Sequence, residues 1–268
     1  MQDKIVIITG ASSGIGKALA ERFARAKAKV VMAARSIEKM ESLANSLRSQ
    51  GADILCVKTD VSKTEDCQNL IDTTLKQYGK IDVLINNAGI SMRGLFEETN
   101  LSVFERVMRV NFWGTLCCTR FAIPYILKSK GSVVGISSIA GHRGLPGRTG
   151  YSASKFAMHG LLESLRTEVM NRGVHVLVVA PGFTSSNIRK VALTQDGSEQ
   201  GATPRDEDKM MSAEEVAEHI LTAIQKRKRD LVLTRQGKLT VFLNKWIPSI
   251  MDGLVFNHMA KEPNSPFK

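Results

Sequence analysis

The chain has 268 residues, of which 43% are apolar and 24% charged, and its formal net charge is +11. These values are ordinary for a soluble globular protein. No apolar run reaches the ~18 residues that indicate a spanning helix, and a strand starts almost at the first residue, so we expect no membrane span, signal peptide or anchor.

The four cysteines form no C-x-x-C pair, so we expect neither a metal site nor a disulfide framework, and we expect a reducing, cytoplasmic location. They are Cys56, Cys67, Cys117 and Cys118. The positive charge is spread over many predicted helices, and its tightest cluster, residues 226–229, ends a helix without interleaved aromatic residues. This pattern disfavours nucleic-acid binding and fits an anionic cofactor or an acidic membrane surface.

A strand, a glycine-rich turn and a helix open the chain in that order. Residues 4–9 form a continuous β-branched run typical of a buried strand, and a helix is predicted over 17–27. Spaced glycines in this position let the backbone approach a pyrophosphate at the helix N-terminus, which favours a dinucleotide site over an ordinary turn. The turn residues assigned to the cofactor are Gly10, Ser12, Ser13, Gly14, Ile15 and Gly16.

The tip of the second predicted strand, residues 29–34, carries Arg35 and no acidic residue. In dinucleotide folds an acid at this position binds the ribose hydroxyls and repels a 2′-phosphate, whereas a guanidinium pairs well with phosphate. The cofactor is therefore predicted to be NADP(H), with Arg35 at the 2′-phosphate and Lys17 as a candidate second cation. The alternative is that Arg35 is a solvated surface residue.

The third and fourth predicted strands, residues 54–59 and 81–85, each end in a polar turn. The first turn offers a position for the adenine ring, or simply begins a helix. The second is a tight turn whose amides bond the backbone, and it would form a narrow floor beside the cofactor. The residues assigned to the cofactor in these turns are Asp60, Val61, Asn87, Ala88 and Gly89.

Tyr151 and Lys155 are four residues apart on a helix predicted over 151–172, so they share one face, with Cβ atoms about 5–6 Å apart. A phenol has a pKa near ~10, and we expect the ammonium to lower it until Tyr151 can exchange a proton at neutral pH. Ser138 ends the strand predicted over 131–138 and would hold a carbonyl oxygen beside the phenol. The spacing alone is common in helices, and its significance comes from the accompanying motifs.

These motifs, together with Asn111 in a helix predicted over 101–128, resemble the short-chain dehydrogenase/reductase family across residues 4–235. The resemblance implies a single-domain, Rossmann-type α/β/α sandwich with a parallel seven-stranded sheet in the order 3-2-1-4-5-6-7. It implies Tyr151 as acid/base, Lys155 as its partner and ribose ligand, Ser138 as carbonyl holder, and Asn111 as support for a proton relay.

The resemblance also assigns the turn after the sixth strand to the nicotinamide end of the cofactor, through Pro181, Gly182 and Thr184. A loop predicted over 141–150 borders the site, and its His142 is interpreted as a surface residue. Residues 185–211 lack periodicity and are predicted to form a substrate lid with a short helix at 187–193.

Residues 236–268 are predicted to form an amphipathic helical extension beyond a catalytic domain of residues 1–235. Its apolar residues fall at helical spacing and are interrupted by Pro248, while Lys238, Lys245 and Lys261 add positive charge. The extension either contacts a subunit or the lid, or rests on an anionic bilayer and admits lipophilic substrates. It resembles the tails of the hydroxysteroid-dehydrogenase-like, membrane-associated branch of the family.

The predicted function is NADP(H)-dependent interconversion of a ketone and a secondary alcohol on an apolar, lipid- or steroid-like substrate. An alternative within the family is reduction of a 3-oxoacyl thioester on an acidic carrier protein, for which Arg143 and Arg148 would supply cations at the mouth. A more distant alternative is a dinucleotide-sensing or scaffold protein without turnover. The family resemblance further implies a homodimer or homotetramer formed through the Asn111 and Tyr151 helices.

Overall fold

A parallel sheet is the framework of the molecule, and the computed structural model describes it within residues 1–203, 210–263 and 265–267. The sheet has seven strands in the order β3-β2-β1-β4-β5-β6-β7, and every neighbouring pair is parallel. This arrangement confirms the predicted fold class and strand order. The strands are β1 (Ile5–Thr9), β2 (Lys29–Ala34), β3 (Ile54–Lys58), β4 (Val83–Asn86), β5 (Ser132–Ile136), β6 (His175–Ala180) and β7 (Asp230–Val232).

Helices cover both faces of the sheet. One layer contains α1, α2 and α7, and the opposite layer contains α3, α5 and α6. The helices are α1 (Gly14–Arg25), α2 (Ile37–Arg48), α3 (Thr64–Tyr78), α4 (Leu101–Met108), α5 (Gly114–Ser129), α6 (Thr149–Val169), α7 (Ala213–Gln225), α8 (Arg235–Trp246) and α9 (Pro248–Ala260).

Strand β1 shows why the strands of this sheet are continuous apolar runs. Successive side chains of a strand point to opposite faces. Val6 and Ile8 therefore pack into one helical layer, while Ile5 and Ile7 pack into the other. Because helices cover both faces, a strand needs apolar residues at every position rather than at alternate positions.

The direction of chain winding reverses between β1 and β4, which are neighbours in the sheet. At such a point the connections leave toward opposite faces, and a crevice opens beyond the carboxyl ends of the strands. The turns that follow β1 and β4 therefore meet at one crevice, and Ser138 follows β5 on the same edge.

The long helix predicted over 101–128 is interrupted by a wide turn. A π-helical turn, Arg109–Trp113, separates α4 from α5, and Asn111 lies fully buried at its centre. The hydroxyl of Thr115 donates to the Asn111 carbonyl at 2.8 Å. A π turn inserts one extra residue into a helix and frequently occurs at functional sites.

The short helix predicted at 187–193 is wrong, because this segment forms turns and isolated bridges. Its backbone groups bond a neighbouring loop instead: Leu193 N donates to Ser91 O at 2.9 Å, and Arg93 N donates to Leu193 O at 2.8 Å. Because both backbone groups of Leu193 are satisfied by this loop, the end of the segment does not need helical hydrogen bonds. Residues 204–209 of the predicted lid lie outside the described residues.

The C-terminal extension forms two helices rather than one kinked helix. Pro248 stands at the first position of α9, where its missing N–H costs nothing, and Ile247 separates the two helices. Within the described ranges, each helix falls short of the length or the apolarity that crossing a bilayer requires.

Candidate active site

A cleft of about 500 Å³ lies at the crevice between β1 and β4. Every residue assigned from the sequence to the cofactor in the turns after β1, β2, β3 and β4 lines it, with the exception of Gly16. These lining residues are Gly10, Ser12, Ser13, Gly14, Ile15, Arg35, Asp60, Val61, Asn87, Ala88 and Gly89. The structure therefore brings together four turns that are far apart in the sequence.

The glycine turn after β1 packs too closely on its surroundings for larger residues. Gly10 has a φ of +67°, and a Cβ at this position would lie 2.8 Å from the Ala88 Cα. A Cβ on Gly16 would overlap the Gly10 carbonyl oxygen, so Gly16 serves the close approach of α1 rather than the lining of the cleft. The two glycines keep the backbone bare where a pyrophosphate would approach it.

Thr9 and Asn87 join the turns that follow β1 and β4. The Thr9 hydroxyl accepts hydrogen bonds from the backbone N–H groups of Asn87 and Ala88, both at 3.0 Å. In return, the Asn87 side chain donates to Thr9 O at 2.9 Å and to Gly10 O at 3.3 Å. The sequence motif contains Thr9, but its bridging role emerges only from the structure.

Two cations line the cleft beside the tip of β2. Arg35 and Lys39 both line it and are both exposed, and neither makes a hydrogen bond or ion pair with another described residue. Lys17, the second cation predicted from the sequence, does not line the cleft and pairs with Glu21 at 3.8 Å. Lys39 lies in the first turn of α2, four residues after Arg35.

Asp60 and Val61 form a rigid side of the cleft. One carboxylate oxygen of Asp60 accepts hydrogen bonds from Ser62 N at 3.0 Å and from the Ser62 hydroxyl at 2.7 Å. Val61 lies against Gly114 of α5: a Cβ added to Gly114 would come within 2.8 Å of the Val61 side chain. The carboxylate therefore stabilises its own turn, and Val61 presents an apolar surface to the cleft.

Tyr151 lies on α6, and its ring packs with a small apolar cluster around Met92 and Val107. Burial raises the pKa of the Tyr151 phenol, whereas the nearby Ser138 hydroxyl and the guanidinium groups of Arg148 and Arg189 act to lower it. The net direction is upward, so the phenol is protonated at neutral pH.

Lys155 lies one turn along α6, with its Nζ 5.7 Å from the centroid of the Tyr151 ring. It is buried, and its Nζ donates to Ile136 O at 2.8 Å. Burial lowers the pKa of Lys155 to about 7, so the ammonium is only about half populated at neutral pH. The expectation that this ammonium lowers the pKa of Tyr151 is therefore wrong for this structure, because burial dominates at both groups.

Asn111 is held by three hydrogen bonds of its side chain. Its Oδ1 accepts from Ile90 N at 2.8 Å, and its Nδ2 donates to Ile90 O and to the Ser154 hydroxyl, both at 2.9 Å. Ser154 in turn donates to Tyr151 O at 2.7 Å. A Cβ on Gly89 would lie 3.2 Å from Asn111 Oδ1 and 3.5 Å from Lys155 Nζ, so both groups border the floor of the cleft.

The two adjacent serines after β5 face different partners. The Ser137 hydroxyl bonds His159 Nε2 at 2.8 Å, whereas Ser138 faces the phenol, as the sequence predicted. His142 stacks edge-on against His159, with ring centroids 4.4 Å apart, and is half-buried rather than on the open surface. Burial and the neighbouring His142 lower the pKa of His159 to about 4, so His159 is neutral at neutral pH.

A second cavity of about 290 Å³ adjoins Ser138. We call it the apolar chamber, and its walls are formed by Ile139, Leu145, the turn after β6, and one face each of α8 and α9. Pro181 and Gly182 line this chamber rather than the nucleotide cleft. Thr184 lines neither cavity, since it is buried and its hydroxyl donates to Gly182 O at 3.3 Å.

The segment beyond β6 lies over the nucleotide cleft, which it lines with Ser186, Asn187, Ile188, Val191 and Glu199. Its position is fixed by the bridges of Leu193 to the loop at Ser91 and Arg93, and by a hydrogen bond from Arg189 to Thr184 O at 2.7 Å. Sequence reasoning did not single out these lining residues, because no local pattern marks a contact of this kind.

Comparisons with known proteins agree with this geometry. A family model described as "short chain dehydrogenase" matches residues 4–197. The "Dehydrogenase/reductase SDR family member 7B" of Rattus norvegicus is 35% identical over 273 residues, which cover 99% of this chain and 84% of that protein.

Two solved structures share the fold. One is a short-chain dehydrogenase/reductase from Burkholderia phymatum in complex with NAD, with a TM-score of 0.84, 27% identity, and coverage of 93% of this chain and 95% of that chain. The other is an alcohol dehydrogenase from the archaeon Thermococcus sibiricus complexed with 5-hydroxy-NADP, with a TM-score of 0.77, 25% identity, and coverage of 87% and 96%. The chain therefore belongs to the short-chain dehydrogenase family of oxidoreductases, a fold that binds a nicotinamide dinucleotide.

Proposed function

We propose that this protein is an NADP(H)-dependent oxidoreductase that interconverts a ketone and a secondary alcohol on an apolar, lipid- or steroid-like substrate. The observation that carries the proposal is the position of Ser138. Its side chain stands beside the Tyr151 phenol and also lines the apolar chamber. A carbonyl oxygen at Ser138 would therefore meet a proton donor while the rest of the substrate occupies apolar surroundings.

The lining of the cleft fits a dinucleotide, because the glycine turn and the N-terminal end of α1 line one part of it, where backbone N–H groups can meet a pyrophosphate, and the turns after β2, β3 and β4 line the rest. We assign the pyrophosphate to residues 10–16, the adenine to Asp60 and Val61, and the floor of the cleft to residues 87–89. The nicotinamide end is assigned to Tyr151, Lys155, Pro181, Gly182 and Thr184. When bound, the cofactor supplies the hydride chemistry that no side chain of this protein can provide.

Arg35 and Lys39 support the choice of NADP(H) over NAD(H). Both are cations at the end of the cleft that we assign to the adenosine, and the tip of β2 carries no acidic residue that would repel a 2′-phosphate. A guanidinium binds phosphate through parallel N–H donors, and an ammonium adds a point charge. Glu199, the acidic residue of the opposite segment that also lines the cleft, is not at the tip of β2.

Tyr151 acts as the acid/base. Burial raises the pKa of its phenol, so the group carries a proton at neutral pH and can donate it to a carbonyl oxygen during reduction. Ser138 holds that oxygen through its hydroxyl and so orients the carbonyl toward the phenol. The reverse reaction requires the phenolate, which becomes more populated as the pH rises.

Lys155 and Asn111 support Tyr151 from the floor of the cleft. We propose that Lys155 donates to the cofactor ribose and exchanges protons near neutral pH, because burial lowers its pKa to about 7. Asn111 fixes the floor beside Lys155 through both backbone groups of Ile90. This arrangement supports the proposed role of Asn111 in a proton relay.

The alternative of 3-oxoacyl thioester reduction on an acidic carrier protein requires free cations at the mouth. Both cations considered for that role are engaged by the C-terminal extension. Arg143 pairs with Asp252, and Arg148 pairs with Glu262 at 2.9 Å. These pairs weaken the carrier-protein hypothesis, whereas the apolar walls of the chamber support a lipophilic substrate.

The proposal is tested by NADPH consumption with a panel of ketones that increase in apolar size. We expect kcat/KM to rise with size until the substrate fills the chamber of about 290 Å³, and then to fall. The same assay with secondary alcohols and NADP⁺ measures the reverse reaction. If no ketone or alcohol supports turnover, the non-catalytic sensing or scaffold hypothesis replaces this proposal.

We also propose a peripheral membrane contact through α8 and α9, for an enzyme of the cytoplasm. Phe242, Trp246 and Ile250 are 59%, 72% and 59% exposed. Leu239 and Leu254 are exposed as well and also line the chamber, so the apolar surface continues to its mouth. Assembly into a dimer or tetramer is proposed through the helices of Asn111 and Tyr151, where Trp113 and Phe156 are exposed.

Flotation with anionic vesicles tests whether the exposed apolar residues of α8 and α9 bind a membrane or another subunit. We expect replacement of both Phe242 and Trp246 by Ser to lower vesicle binding roughly tenfold or more. Burial of each aromatic side chain in an apolar phase contributes about 1.5–3 kcal/mol to binding. The matched control is Leu101→Ser, because Leu101 on α4 is also a strongly exposed apolar residue. If the double variant floats normally but sediments as a smaller species, the surface is a subunit contact and the membrane proposal is wrong.

A further inference from the structure

We infer that Glu262 is a positioning residue for the reaction, because with Arg93 and Arg148 it fixes the wall of the apolar chamber that α9 forms beside Ser138. We call this group of three side chains the C-terminal latch. The kinetic part of the inference rests on the proposed function, whereas the structural part does not.

The latch is a buried carboxylate between two guanidinium groups. Glu262 is 5% exposed, and its Oε2 lies 2.9 Å from Arg148 Nη2 and 3.6 Å from Arg93 Nη2. Both arginine side chains are 11% exposed, and Arg93 also donates to Pro263 O at 2.8 Å. Buried charges are costly unless they are paired, so each member of the group holds the others in place.

Each arginine belongs to a different loop beside the active site. Arg148 immediately precedes α6, three residues before Tyr151. The backbone of Arg93 bonds Leu193, in the segment that lies over the nucleotide cleft. Gly94 N also donates to Gly147 O at 3.0 Å, which joins the two loops directly. The carboxylate of Glu262 therefore connects the C-terminal extension to both sides of the site.

Helix α9 depends on such a connection, because little apolar surface anchors it. Its buried residues, Met251, Val255 and Met259, form a separate small cluster with Leu145, Leu243 and Phe267, away from the two large clusters of the sheet. The same three residues line the chamber. Met259 Sδ lies 4.0 Å from Arg148 Nη1, so the end of α9 meets the latch directly.

The latch should therefore act on substrates according to how far they extend. An apolar ketone that fills the chamber contacts α9 and requires it in one position. A small ketone that reaches only Ser138 and Tyr151 does not. Loss of the latch should raise KM for the first kind of substrate and leave the second kind, and the affinity for NADPH, nearly unchanged.

The test compares Glu262→Gln, which keeps the shape and removes the charge, with Asp252→Asn. Asp252 provides a matched control, because it also joins the extension to the loop before α6, through Arg143, but its side chain is 70% exposed. Exposed pairs contribute little to stability. The measurements are amide hydrogen exchange of residues 248–263 and steady-state kinetics with a long-chain apolar ketone and with acetone.

For Glu262→Gln we expect exchange in α9 to accelerate tenfold or more and KM for the long ketone to rise tenfold or more. KM for acetone and the NADPH dissociation constant, from cofactor fluorescence, should change less than about twofold, and Asp252→Asn should change none of these values. If Glu262→Gln does not fold, Arg93→Gln takes its place, with the same direction expected and Arg148 still paired.

Three results would overturn the inference. One is unchanged hydrogen exchange in α9. Another is faster exchange with unchanged KM for the long ketone, which would make the latch structural only. The third is an equal rise in KM for both ketones. If the wild-type protein reduces no ketone at all, the proposed function fails, and hydrogen exchange alone decides whether Glu262 holds α9.

Discussion

Replacement of Tyr151 by Phe should lower ketone reduction by NADPH by about two to four orders of magnitude, the range that a positioned acid/base contributes. The ring packs in the cluster around Met92 and Val107, and Phe preserves that packing. Only the hydroxyl is lost, so the fold and the affinity for NADPH should be retained. Stopped-flow or steady-state NADPH absorbance measures the rate, and cofactor fluorescence measures the affinity.

The pH dependence of the wild-type enzyme tests the same acid/base role of Tyr151. Because burial raises the pKa of Tyr151, the phenol keeps its proton at neutral pH, so its own titration should lower reduction only at high pH. Lys155, whose pKa burial lowers to about 7, should add a separate change near neutral pH. Alcohol oxidation needs the phenolate and should increase with pH until the raised pKa is reached. Tyr151→Phe should abolish this difference between the two directions.

The control for this experiment is Tyr125→Phe. Tyr125 lies on α5 with the Lys128 ammonium 5.6 Å from its ring centroid, a local pair that resembles Tyr151 and Lys155 but packs against the cluster of α3, α5 and the sheet rather than beside Ser138. Its replacement should leave turnover unchanged. Retention of full activity by Tyr151→Phe would remove the proposed mechanism, whatever the substrate.

Replacement of Arg35 by Ala should reduce the preference for NADPH over NADH about tenfold, and replacement of both Arg35 and Lys39 should reduce it about 10- to 100-fold. A hydrogen bond to a charged group contributes about 1.5–3 kcal/mol, and 1.4 kcal/mol corresponds to a factor of ten. Because both side chains are exposed, the smaller end of this range applies.

The measurement is the ratio of dissociation constants for NADPH and NADH, at two salt concentrations because exposed charges are screened. Lys17→Ala is the matched control, since Lys17 is an exposed cation on α1 that pairs with Glu21 and does not line the cleft. An unaltered preference in the double variant would mean that neither cation reads the 2′-phosphate. A loss of the preference in Lys17→Ala would restore Lys17 as the second cation that the sequence indicated.

The fold could be predicted from the sequence because its signals are local. A parallel strand buried on both faces must be apolar throughout, and β1, β2 and β6 are such runs. The turns at Gly10 and Asn87 were found because each directly follows a strand, and the topology then brings both to one crevice. The sequence assigns Ser138 to the site, and the structure gives its hydroxyl and that of the adjacent Ser137 different partners.

The remaining features depend on contacts that no local pattern records. The pKa of Tyr151 is governed by burial, which is invisible until the segment over the cleft and the loop at Met92 are placed. The segment at 187–193 has the length of a short helix, but both backbone groups of Leu193 bond a loop about a hundred residues earlier in the chain. The latch at Glu262 likewise joins residues more than a hundred positions apart.

The π turn at 109–113 sets the rotation of α4 relative to α5, so that the two helices pack on different surfaces. A regular helix could not direct apolar residues at both surfaces. Helix α4 directs Val107 toward the cluster of Tyr151, whereas α5 directs Ala122 onto the sheet. Since each residue of an α-helix advances it by roughly 100°, loss of a single residue here would rotate one half by more than a quarter turn. The Asn111 side chain would then lose its hydrogen bonds to Ile90. A one-residue deletion that a surface loop would absorb should therefore disrupt the packing of both helices.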